Sequence, residues 1–87
     1  MMKMKQVKVV VMTAGHVFIS EIEEVGADIG QPDCKLVKPY LLDGDLNLHR
    51  FMREVTDQED FMVSSDKILT ILDAKEDIVN KYEEAIK

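Results

Sequence analysis

From Lys5 onward, short apolar runs alternate with turn-forming residues, and this punctuation constrains the fold more than any other feature of the chain. Between Lys5 and Met12, valines stand at 7, 9 and 11 while Val10 and Met12 fill the opposite parity. So many β-branched residues in so short a run predict a strand rather than a helix. Ala14-Gly15-His16 supplies a turn, because a residue without Cβ takes positive φ at no steric cost. A second strand is expected from about His16 to Val25. Its apolar residues, Val17 and Ile19 and then Phe18, Ile22 and Val25, change parity in mid-run, as a bulge or sharp bend would make them do.

The punctuation continues downstream. Gly26 to Asp33 holds two glycines, a proline and two aspartates and reads as a loop. A third strand follows from about Cys34 to Leu42, and Pro39, which cannot donate to a ladder, demands an edge or a bulge there. Asp43-Gly44-Asp45 is a hairpin signal. Residues 48–63 are strand-like but broken by Thr56-Asp57-Gln58-Glu59-Asp60, so one interrupted strand and two strands are both open readings. Ser64-Ser65-Asp66-Lys67 marks a tight turn, and Ile68 to Leu72 a last strand. Beyond it the period changes from two to 3.6: Ile78, Tyr82, Ala85 and Ile86 form one helical stripe over about 74–86. Asp73 and Glu76 have the spacing of a capping box. Asp77 with Lys81 and Glu83 with Lys87 are expected to pair along the helix.

Length and charge bound what such a chain can do. The 87 residues form one domain, 1–87. A domain of this size buries only about 60–65% of its unfolded surface, so association covering more apolar area would help it. No run approaches the ~20 apolar residues of a membrane span, and the first residues lack a signal-peptide core, so a soluble, cytoplasmic protein is expected. A net charge of −6 argues against a broad, sequence-independent grip on nucleic acid. The lone Cys34 provides neither a disulfide nor a thiolate set for zinc.

No catalytic constellation emerges. His16 and His49 lie in different elements, the four glycines at 15, 26, 30 and 44 are scattered, and Asp57, Glu59 and Asp60 read as a solvated turn. Asp43, Asp45, Asn47 and Glu54 have the spacing of a calcium loop. Leu48, however, replaces the required glycine and Pro39 denies the preceding helix, so a plain hairpin is the better reading. The chain is therefore expected to have no catalytic residues, no metal and no cofactor.

Two stretches resemble a known family. Met12-Thr-Ala-Gly15-His-Val17-Phe-Ile19-Ser-Glu-Ile22 resembles the first Sm motif, a hydrophobic strand, a glycine turn and a second strand. Phe61-Met-Val63-Ser-Ser-Asp-Lys-Ile68-Leu-Thr-Ile71 resembles the second, an apolar run, a four-residue turn and an apolar strand. The whole chain is similar to small Sm-like proteins carried by marine cyanophages. The resemblance implies a strongly bent five-stranded antiparallel barrel of the Sm-like or SH3-like kind over about 5–72, with one C-terminal helix. It also implies a cyclic homo-oligomer in which the fourth and fifth strands of neighbouring copies pair. The interface candidates are Phe61, Met62, Val63, Ile68, Leu69 and Ile71.

In RNA-binding members, loops after the second and fourth strands line the pore. Here these fall near Gly26–Asp33 and Ser64–Lys67, making Asp28, Lys38, Ser64, Ser65, Asp66 and Lys67 the RNA-binding candidates, with Lys35, Arg50 and Arg53 as further basic contacts. The departures are specific. Ser64-Ser65 replaces the family's Arg-Gly, Asp28 is displaced from the motif's aspartate, and the helix follows the barrel instead of preceding it. Without the arginine, a uridine pocket loses its cation and stacking plane. The reading preferred on these grounds is a non-enzymatic, ring-forming scaffold or interaction module of phage origin. The alternative is a regulator that binds single-stranded RNA through a modified pore.

Overall fold

The computed structural model of the protein describes residues 7–26 and 31–87. It is mainly β: an antiparallel sheet of six strands followed by one C-terminal helix. The strands are β1 (Val7–Met12), β2 (Val17–Glu24), β3 (Cys34–Leu42), β4 (Leu48–Arg50), β5 (Asp60–Val63) and β6 (Ile68–Asp73). A single 3-10 turn (Ser65–Lys67) joins β5 to β6, and helix α1 spans Glu76–Ala85. The spatial order is β4-β3-β2-β1-β6, with β5 also on β3. No helix is long and apolar enough to cross a membrane among the described residues.

Of the two readings open for 48–63, the structure has two strands. Both lie on the same edge of β3: Tyr40–Leu42 pairs with β4, and Cys34–Val37 pairs with β5. The cause is in β3 itself. Lys38 takes a left-handed φ of 52°, and Pro39 has no N–H to give to a ladder. A partner strand cannot run past that point. The chain therefore leaves the edge after Arg50 and returns at Asp60, where Glu59 O accepts the Lys38 N–H at 2.9 Å.

The same two residues answer the parity change seen in β2. Ile19 pairs with Tyr40 and Glu21 with Val37, so Lys38 and Pro39 together oppose the single residue Ser20. The extra residue belongs to β3, not β2. In β2 both parities are apolar because both faces of the sheet are covered. Ile19 packs with Val7, Ile78 and Tyr82 under the helix, while Phe18 packs with Val10 and Leu36 on the opposite face. Ser20 is fully buried at the bulge, and its hydroxyl oxygen lies 2.6 Å from Glu21 O and 3.1 Å from Val37 O.

The ladders do not close into a barrel. β6 pairs with β1 and β5 with β3, and no ladder among the described residues joins β5 to β6. The sheet bends and has two borders. At the helix the capping box does not form: the N-cap is Lys75, without a side-chain cap bond. Asp73 ends β6 and pairs with Lys8 across the β1–β6 ladder. The expected helical ion pairs are also replaced. Lys81 donates to Leu46 O at 3.0 Å, and Lys87 reaches Glu84 at 3.2 Å. Of the expected apolar stripe, Ile78 and Tyr82 are buried and Ile86 packs beside them, while Ala85 is exposed.

The hairpin at 43–47 is built by Asp43. Its Oδ1 accepts the N–H groups of Asp45 and Asn47, each at 2.9 Å, and its Oδ2 lies 2.8 Å from His49 Nε2. A carboxylate engaged in this way makes a turn, as the hairpin reading expects.

Candidate functional site

The two segments that the Sm resemblance marks for a pore meet in space. Asp33, ending the loop after β2, accepts the Ser65 N–H on Oδ1 and the Ser65 hydroxyl on Oδ2, both at 2.7 Å. These bonds hold the Asp33 carboxyl below its usual range. Ser64, Ser65, Asp66 and Lys67 thus stand as one turn, with the Lys67 N–H bonded to Ser64 O at 3.0 Å and Lys67 O accepting from Thr13 at 2.8 Å. Asp33 itself was hidden in the sequence, since nothing local connects it to a residue 32 positions away. Asp28 lies outside the described residues.

Lys38 is not part of that group. It sits at the β3 bulge and lines a cavity of about 170 Å³ with Tyr40, Arg50, Phe51, Glu59 and the end of α1. Arg53 lines a neighbouring recess beside Arg50 and His49. Lys35 lies 3.5 Å from Glu23 across the β2–β3 ladder. Lys38, Arg50 and Arg53 therefore stand in one region near β4 and the end of α1, while Lys35 stands on the β2–β3 ladder and Lys67 in the β5–β6 turn.

The interface candidates divide in two. Phe61, Val63 and Ile68 are half-buried and pack against the Val10–Phe18–Leu36 cluster or its neighbours, with Phe61 edge-on to Phe51 at 5.2 Å. Met62, Leu69 and Ile71 are open to solvent at 46%, 67% and 45% exposure, and Leu72, absent from the sequence-based set, is 49% exposed. On a strand with one free side, both parities can be open, which strand alternation alone cannot reveal. Leu69 and Ile71 also flank an apolar groove of about 360 Å³ with Ile22, Cys34 and Ile68. Cys34 is buried there, and burial together with the charges of Asp33 and Glu24 pushes its thiol pKa up.

What this geometry offers is a pair of borders. One side of β6 is bonded to β1 and one side of β5 to β3, so each strand presents backbone N–H and C=O groups on its other side. The apolar side chains of β6 stand on both faces of that border. No curated protein matches the chain. The model of the family of unknown function DUF6561 matches residues 5–87, nearly the whole chain, and the protein belongs to that family.

Proposed function

We propose that the protein is a non-enzymatic, Sm-like module that assembles with copies of itself by laying β6 of one copy against β5 of the next, and acts as a ring-shaped scaffold in the cytoplasm, in the setting of a phage-infected host. The observation that carries this reading is the exposed apolar character of β6 at the border of the sheet. An uncovered strand of that kind is a template for further pairing, and a chain of this size gains from any association that covers it. Because β5 and β6 are different strands at different borders, their pairing is heterologous, and it closes into a ring when the rotation between copies permits.

Light scattering coupled to size exclusion tests the reading. The expected molar mass is several times the 9.9 kDa of one chain. A monomer at micromolar concentration overturns it. A Leu69→Lys/Ile71→Lys double variant, with charges on two exposed border positions, is expected to elute as a monomer that keeps the wild-type circular dichroism spectrum.

A second reading, binding of single-stranded RNA, rests on the Asp33–Ser65 junction, which unites the two segments that line the pore in RNA-binding Sm-like proteins. A salt-dependent mobility shift with U-rich or A-rich RNA supports it, and loss of the shift in a Lys67→Glu variant ties it to this turn. The absence of a shift at low salt leaves the scaffold alone.

A further inference from the structure

We infer that the cleft between the β1–β2 turn and the β5–β6 turn is a binding site for a small aromatic acid. The cleft measures about 250 Å³ and is partly open to solvent. Its walls are Phe18, Leu36, Phe51, Phe61 and Val63, and its rim carries His16 and Lys67. An apolar cavity of about 150 Å³ already holds a benzene ring in place of water. The larger space here suits one ring or two fused rings.

The walls favour an aromatic occupant. Phe51 stands edge-on to Phe18 at 4.9 Å and to Phe61 at 5.2 Å, so ring edges and faces are offered together. The His16 ring lies nearly parallel to Phe18 with centroids 6.2 Å apart and extends the aromatic surface toward the mouth. Offset or edge-to-face contacts with a further ring are the geometry such walls support.

The rim favours a negative group on that ring. Among the described residues no acidic side chain lines the cleft, although the chain carries 17 aspartates and glutamates and a net charge of −6. Among the described residues no carboxylate lies within ion-pair distance of the Lys67 ammonium. Lys67 is exposed and lines the cleft with its aliphatic stem, from whose end the ammonium can reach a carboxylate or sulfonate on a ring that enters the cleft. Two of the walls, Phe61 and Val63, lie on β5, one of the two borders, so binding is measured on the monomeric border variant as well as on the wild type.

The test compares two fluorescent probes with the same rings, anilinonaphthalene sulfonate and the uncharged phenylnaphthylamine, titrated against the folded full chain. Both are expected to bind saturably at one site. Lys67→Glu is expected to weaken the sulfonate by roughly fivefold and the neutral probe by less than about twofold. Ala14→Trp, at an exposed turn position that lines the cleft, is expected to weaken both by roughly tenfold. Amide shifts on sulfonate binding are expected around His16, Phe61 and Lys67 in the wild type, a readout that needs no variant to fold. The Leu69→Lys/Ile71→Lys variant is expected to bind as the wild type does. Non-saturable binding, equal weakening of both probes by Lys67→Glu, or loss of binding in the border variant would overturn the inference.

Discussion

Tyr82 ties the helix to the sheet at the point where the sheet is weakest. Its side chain is completely buried, and its hydroxyl lies 3.0 Å from both Val37 O and Lys38 O, the carbonyls beside the bulge. Burial, with the nearby Glu21 charge, pushes the phenol pKa well up, so it stays a donor at any working pH. Tyr82→Phe is expected to cost about 1–2 kcal/mol in urea unfolding, because buried carbonyls lose their donor, and Tyr82→Ala about 3–5 kcal/mol. Lys38 next to it holds φ at 52° with a side chain that disfavours that region. Lys38→Gly is expected to be neutral or to stabilise by up to about 1 kcal/mol, read from the same denaturation midpoints. Three aspartates contribute to the acid response. Asp33 is held below its ordinary value of 3.8 by Ser65, Asp43 by His49 and then the backbone of the hairpin, and Asp73 by Lys8. A carboxyl whose folded pKa is depressed stabilises above its unfolded value and loses that effect as pH falls through the folded one. The melting temperature is therefore expected to fall below about pH 4, and Asp33→Asn/Asp43→Asn/Asp73→Asn to make that fall shallower.

Among the elements, β3 and β6 decide the outcome. The sequence locates β3 well, and Pro39 announces an irregularity there. It does not say that Lys38 is the residue in the left-handed region, because that depends on Ser20, Tyr82 and Glu59 closing around the bulge from three other elements. The split of 48–63 into β4 and β5, one of the two readings the local pattern left open, is decided by the same bulge. β6 is legible as a strand, yet its place at a border is a fact of topology. That place leaves Leu69 and Ile71, both interface candidates, and Leu72 beside them as exposed surface. The Leu69→Lys/Ile71→Lys change is thus expected to shift the unfolding free energy of the dissociated chain by no more than about 0.5 kcal/mol while removing assembly, which separates border chemistry from folding.

For the molecule as a whole, the sheet is covered on one face by α1 and on the other by its own bend. Val7, Ile19, Ile78 and Tyr82 fill the first space, and Val10, Phe18 and Leu36 the second. Removing residues 74–87 uncovers Val9, Tyr40, Leu42 and Leu48 together with the buried pair beneath the helix. The truncated chain is expected to lose cooperative thermal unfolding and near-ultraviolet dichroism, since a lone sheet of this size cannot replace that burial. The Asp33–Ser65 junction belongs to this scale too. Each residue reads locally as part of a loop or turn, and their meeting depends on β3 running back beside β5, where Cys34 pairs with Val63.

The order and type of the elements, the hairpin at Asp43 and the apolar stripe of α1 follow from the chain alone, because each rests on periodicity or turn chemistry within a few residues. The bulge at Lys38, the division of the fourth strand, the Asp33–Ser65 contact and the two open borders arise only when distant strands come together. Backbone hydrogen bonding and packing across the sheet select them; Pro39 and the Thr56–Asp60 break signal the first two locally without fixing their geometry.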